Sequence, residues 1–321
     1  MPQAAAFFPV YPALVHGVAW ATGSILVAGV LVSLVSGAAG AWVLAQLARP
    51  LLGARGAHDA VLYLALFPTA LFLGAVYSES LYLMLSLAAF LLARRGRFAL
   101  AAVAIGLAIL TRSAGVALLP AVGLIAWRSN DRARATASLL LASAIAAVWP
   151  LWLWARIGDP FVFVEAQRET WGRELSVFGP LGGVGRGAEA AWAGVRQLFE
   201  GPGGEVFWPQ ATDTGPMHVA AQNVQLFACL VVLVGLGALS WRRFGAPYGL
   251  FVLGSLALPL SAPTEDWPLL SLPRFALGVF PVFLALAVLG SRPRVHTAIV
   301  ASSAFLLSLA LVQWVTWQWV A

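Results

Sequence analysis

The stretch ALFPTALFLGAVYSESLYLMLSLAAFLLA, residues 65–93, is apolar almost throughout and carries one acid, Glu79, near its middle. It belongs to a longer run, Ala57–Ala93, of 37 residues without an arginine. As one straight helix that run would measure about 56 Å at roughly 1.5 Å per residue. The hydrocarbon core of a bilayer is only about 30 Å thick. Arginines bound the run on both sides, at Arg55 and Arg94. Two basic flanks belong on the same side of a membrane, so the number of crossings is even. The run therefore reads as a hairpin, with Tyr77–Ser80 ("YSES") as its turn.

The rest of the chain follows the same logic. Of the 321 residues, 61% are hydrophobic and 10% charged, where a soluble domain carries about 25% charged residues. Apolar runs long enough to cross a bilayer recur from end to end, which predicts an all-α, polytopic integral membrane protein. About ten spans are expected, near 22–47, 58–76, 80–93, 98–111, 114–127, 133–155, 217–240, 245–261, 274–290 and 296–315. They form a single membrane domain over 1–321, with one long outer loop at 156–216. That loop should hold short surface helices. One starts at Asp159 and Pro160, as N-cap and first helical residue. The other shows Trp192, Val195 and Phe199 on one face, which suits a membrane surface.

All 19 basic residues other than histidine are arginines, which points to a GC-rich genome and hence a bacterial plasma membrane. Twelve of them (49, 55, 94, 95, 97, 128, 132, 134, 242, 243, 292 and 294) fall in alternate loops with two acids, Asp59 and Asp131. The other loops hold seven arginines and eleven acids. Placing the first set in the cytoplasm satisfies the positive-inside rule. The basic pI of about 10.4 then reflects orientation, not a nucleic-acid partner. Cys229 is the lone cysteine, so no intrachain disulfide can form. The four histidines are scattered, and no HExxH, CxxC, Walker loop, GxGxxG or outer DxD pair is present. No metal and no cofactor are expected.

Candidate functional residues gather at the outer ends. Glu79 reads either as a base, ligand or orienting group, or as a first-turn acid behind an N-cap at Ser78. Arg112 lies in Leu110–Gly115 ("LTRSAG"), the turn of a second hairpin, Phe98–Trp127. Each arm there spans only about 22 Å, so the turn sits below the outer surface. Its cation suits a lipid-linked phosphate or an ion pair with Glu79. Arg274, after Pro273, reads as a phosphate partner or an interfacial anchor. Gln167, Arg168, Trp171 and Arg173 offer a sugar-binding surface or a solvated face. Trp314, Trp317 and Trp319 suit an interfacial belt. Residues 7–17, with two prolines, suit a re-entrant or interfacial segment feeding the recess.

Six blocks taken together resemble the PIG-V-like mannosyltransferases: "FFPVYP", "ALFPTALFLGAVYSESLYL", "RRGRFALAAVAIGLAILTRSAGVALLP", "IGDPFVFVEAQRETWGR", "LPRFALGVFPVFLALA" and "WQWVA". They cover nearly the whole chain, in the family's order. The resemblance implies a GT-C glycosyltransferase taking mannose from a polyprenyl-phosphate donor to a lipid, glycan or protein acceptor, on the extracytoplasmic side. It implies Glu79 as a catalytic candidate. It makes Tyr77, Ser78, Arg112, Gln167, Trp171 and Arg274 substrate contacts. The family has a further N-terminal span and an acidic "WD"-type loop before its "FFP" block. Their absence here implies a fragment or an inactive form, without the family's usual base. Other readings are a transporter or flippase for a lipid or small solute, and a non-catalytic membrane partner subunit. Transport fits less well, because the polar residues gather at the outer ends and no internal repeat is evident.

Overall fold

The computed structural model describes residues 5–129, 131–201, 216–264, 267–318 and 320. Its regular structure is helical. The first elements are α1 (Val10–Thr22), α2 (Ile25–Ala65), α3 (Glu79–Arg94), α4 (Phe98–Ile109), α5 (Leu118–Trp127) and α6 (Arg132–Ile157). Then come α7 (Val162–Trp171) and α8 (Pro180–Glu200) from the long loop, followed by α9 (Pro216–Phe244) and α10 (Ala246–Ser261). The last are α11 (Leu272–Ala276), α12 (Pro281–Leu289) and α13 (Pro293–Val315). Among the described residues, four helices are long and apolar enough to cross a membrane: α2, α6, α9 and α13. With 61% hydrophobic residues overall, the chain is an integral membrane protein.

Two expected spans turn out differently. The span expected at 58–76 is helical only to Ala65 and continues from the helix before it. Pro50 breaks the hydrogen-bond ladder inside α2, and Gly53 takes φ 74° there, a left-handed conformation that only glycine adopts readily. Beyond Ala65, Pro68 ends the helix because the residue before a proline avoids α geometry. Residues 70–73 then form one 3₁₀ turn before α3. The span expected at 274–290 is two short helices, parted at residues 277–280 with Pro281 opening the second. Breaks of this kind are tolerated inside a membrane protein only where protein or a cavity surrounds them.

Without an aqueous drive to associate, membrane helices pack through small residues that let backbones approach. On α2, the buried Gly29, Ser33, Ser36 and Gly40 recur at helical spacing and form such a stripe; its Gly40 lies 3.5 Å, measured from an added Cβ, from Met84 Cα of α3. Deeper in the bundle an aromatic group closes the core. Phe90 meets Phe280 edge-on at 4.9 Å, with Phe251 and Tyr248 beside it. The outermost helix, α13, is only lightly buried. It is pinned at one end by a hydrogen bond of 2.8 Å between Tyr63 Oη and His296 Nδ1. At the other end Trp314 packs edge-on against Phe72.

The loop helices also depart slightly from expectation. Asp159 accepts a hydrogen bond from Phe161 N at 2.8 Å, so it closes a turn, and α7 begins two residues beyond Pro160 at Val162. On α8, Trp192 and Phe199 are exposed as the amphipathic reading expects. Trp319 and residues 202–215 lie outside the described residues.

Candidate functional site

Glu79 opens α3, and its carboxylate is only 2% exposed. Three turns meet around it. Its own turn is shaped by Ser80 Oγ, which donates to Leu73 O at 2.7 Å. The second is the break after α4, where Arg112 has extended backbone. The 3₁₀ turn that follows doubles back so tightly that a Cβ on Gly115 would stand 2.5 Å from Ile109 N. That approach is open to glycine alone. The third is the start of α11, tied to the "FPTA" break by a hydrogen bond of 2.9 Å from Thr69 Oγ1 to Pro273 O. The next residue along is Arg274.

These turns put two cations on one carboxylate oxygen. Arg112 Nη1 donates to Glu79 Oε1 at 2.5 Å. Arg274 Nε stands 3.1 Å from the same oxygen but off the hydrogen-bonding direction, leaving a Coulombic contact. Both arginine side chains are less than a fifth exposed. The second oxygen, Oε2, is buried and accepts no hydrogen bond among the described residues. Of the two readings open for Arg112, the structure shows the ion pair, which joins the tips of both hairpins.

A third guanidinium completes the group. Arg112, Arg173 and Arg274 all lie over the ring of Phe275, at 4.9, 5.4 and 5.4 Å from its centroid. Such contacts hold a cation in place without neutralising it. Arg173 is anchored by donating to Ala262 O and Leu270 O, each at 3.2 Å. Burial, then the charges of Arg274 and Arg112, pull its pKa down to about 10. It is still a cation at neutral pH. Three positive charges thus face one negative charge.

The other candidate residues divide. Tyr77 joins the group: its ring lies 5.3 Å from the Arg274 guanidinium carbon and packs against Phe72. Ser78 occupies the N-cap position of α3, but its side chain makes no capping hydrogen bond, so the expected cap is not formed. Trp171 stands apart, lining a cavity of about 780 Å³ between the end of α7 and Thr264, Trp267 and Leu270. Gln167, on α7, does not line that cavity. The "FFP" segment does reach this region. Phe7 meets Trp171 edge-on at 5.6 Å, and Val10 N donates to Leu110 O at 3.1 Å, beside the Arg112 turn.

Sequence reasoning grouped Arg173 with Gln167, Arg168 and Trp171 as a sugar-binding surface or a solvated face, and gave Phe275 and Trp267 no role. No local sequence signal marks Arg173; its orientation comes from a contact distant in the chain. In an extended segment alternate side chains point to opposite sides. Arg173 pairs with Thr264 in an isolated antiparallel bridge, which turns its side chain away from the cavity lined by Gly172 and Glu174.

No protein-family model matches the chain, and no curated protein does. Among solved structures, a crystal structure of ArnT from Cupriavidus metallidurans bound to undecaprenyl phosphate is similar, with a TM-score of 0.47 and 18% sequence identity. The match covers 89% of this chain and 50% of that one. The chain spans about half the length of that solved protein.

Proposed function

We propose that this protein transfers a glycosyl group from a polyprenyl-phosphate carrier to a lipid, glycan or protein acceptor at the extracytoplasmic end of the bundle. Mannose is the sugar that the family resemblance implies. The observation that carries this reading is the charge of the cluster: Arg112, Arg173 and Arg274 against Glu79 alone. A surplus of two positive charges in a largely buried setting calls for an anion, and guanidinium is the side chain best matched to phosphate oxygens.

The size of the surplus also bears on catalysis. A sugar phosphodiester carries one negative charge. When the glycosidic C–O bond breaks, the phosphate keeps the electron pair and becomes a monoester of charge about −1.5 to −2. A cluster with two surplus positive charges therefore holds the departing group more strongly than the bound donor. An interaction that strengthens as the bond breaks accelerates the reaction. Glu79 acts here as a positioning residue. With one oxygen held by two guanidiniums and the carboxylate almost wholly covered, it is poorly placed to take a proton from an acceptor. Its charge keeps Arg112 and Arg274 from repelling one another.

The test is binding of a short-chain polyprenyl phosphate to the purified full chain. A charge-assisted hydrogen bond contributes about 1.5–3 kcal/mol, so Arg112→Ala or Arg274→Ala should weaken binding roughly 10- to 150-fold. Transfer of labelled mannose from polyprenyl-phosphate-mannose should fall at least as far. Unchanged affinity in both variants would overturn the proposal.

A further inference from the structure

The cavity lined by the end of α7, Thr264, Trp267 and Leu270 is separated from the arginine cluster by the backbone of residues 172–174. Along residues 172–174, Gly172 and Glu174 face the cavity while Arg173 faces the cluster. The segment is held at Arg173 by its bridge to Thr264 and further on by Ser176 N donating to Ser261 O at 2.9 Å. Donors of one guanidinium also bind the carbonyl of Leu270, which lines the cavity. The two compartments thus share a wall and have opposite charge.

On the cavity side the lining, among the described residues, carries Glu165, Glu169 and Glu174 with one cation, Arg168. Arg168 Nε holds Glu174 Oε1 at 3.0 Å, which leaves the charges of Glu165 and Glu169, one helical turn apart on α7. Two indoles complete the lining. Trp171 is steadied by Phe7. Trp267 is fixed by Thr264, whose hydroxyl accepts from Trp267 N at 3.0 Å and donates to Trp267 O. Broad apolar faces next to carboxylate acceptors suit a ligand with C–H faces and many hydroxyls. At about 780 Å³ the cavity has room for one or two pyranose rings, since ligand pockets run from roughly 300 to 1,000 Å³.

We propose that this cavity is a saccharide compartment for neutral or amine-bearing sugars that discriminates against anionic ones. Its role as the acceptor side of the reaction rests on the glycosyl-transfer reading; its ligand class does not. The negative lining admits hydroxylated rings by hydrogen bonding, attracts an ammonium group and repels a uronate. The same repulsion keeps the carrier phosphate on the arginine side of the wall.

The experiment is saturation-transfer NMR on the full chain in detergent, with methyl glucoside, methyl glucosaminide and methyl glucuronide as probes. The first two should bind in the millimolar range, and the glucuronide about tenfold more weakly, since charges this exposed are partly screened. The double variant Glu165→Gln/Glu169→Gln, altered only at exposed positions, should bring the glucuronide within about threefold of the glucoside. Trp171→Ala should remove saccharide binding, and Arg112→Ala should leave it unchanged while weakening polyprenyl phosphate. The proposal is overturned if glucuronide binds wild type as well as glucoside does. It is equally overturned if no probe binds in the millimolar range, or if Trp171→Ala binds as wild type. Saccharide binding without any affinity for polyprenyl phosphate would sink the proposed function and leave the compartment standing.

Discussion

Replacing Glu79 by glutamine removes one charge and almost no volume, so it isolates what the carboxylate does. At an effective dielectric of about 20, contacts at 2.5 and 3.1 Å correspond to attractions of about 7 and 5 kcal/mol. Desolvation of three buried charges and the mutual repulsion of the arginines offset most of that. Removing one partner of a buried ion pair still costs about 3–5 kcal/mol, because the other charges are left uncompensated. At about 2 °C per kcal/mol for a chain of this size, Glu79→Gln should melt about 6–10 °C below wild type in detergent. Arg112→Met should also destabilise, and the double variant should fall short of the sum by about 2 kcal/mol. Anions give the sharper reading: pyrophosphate should raise the melting temperature of Glu79→Gln more than that of wild type, since the variant has three surplus charges. A loss under about 2 °C, strict additivity, or equal response to pyrophosphate would refute the account of Glu79 as the counter-charge of the cluster.

Other outcomes follow from neighbouring features. Arg173→Met strands the carbonyls of Ala262 and Leu270, which should cost about 1–3 kcal/mol in thermal unfolding; Arg173→Lys should not restore it, because an ammonium lacks the planar fork that spans both carbonyls. Binding of phosphate should weaken as pH rises through about 10, where Arg173 loses its proton and with it a positive charge, and this step should vanish in Arg173→Met. Gly115→Ala drives a Cβ into the Ile109 backbone, so unfolding should show a loss of about 1–3 kcal/mol with Arg112-dependent anion binding impaired. A cysteine at Val177, which is exposed, should label from outside intact cells, whereas one at Arg95 should label only after permeabilisation.

Much of the framework was readable because membrane physics leaves few choices. Arginine placement and a 30 Å barrier made Ala57–Ala93 a hairpin and set Glu79 at its turn, and α3 does begin at that residue. The short arms of Phe98–Trp127 lowered Arg112 to the same level, where it meets Glu79. Hydropathy does not register backbone geometry, so the run through Phe67, Pro68 and Thr69 read as a span although its proline ends the helix. The same blindness joined α11 to α12 across Gly278 and Pro281. At the site, Arg274 stood out by its place after Pro273 at the start of an expected span, where the sequence left a phosphate partner and an interfacial anchor both open. Arg173 did not, because nothing local distinguishes it from Arg168. Only a bridge to Thr264, distant in the chain, turns one arginine inward and leaves the other in solvent.

The order in which these side chains leave the ribosome gives the cluster a history. Glu79 is made first, Arg112 with the next hairpin, Arg173 three α-helices after Arg112, and Arg274 nearly two hundred positions after the acid it joins. On the topology expected from the arginines, the acid and Arg112 would cross as a near-neutral couple, which makes transfer of both tips easier than transfer of either alone. Surplus positive charge arrives only with the later segments. The nascent bundle thus acquires the surplus charge of the proposed anion site last, when most of the surrounding helices already exist to enclose it.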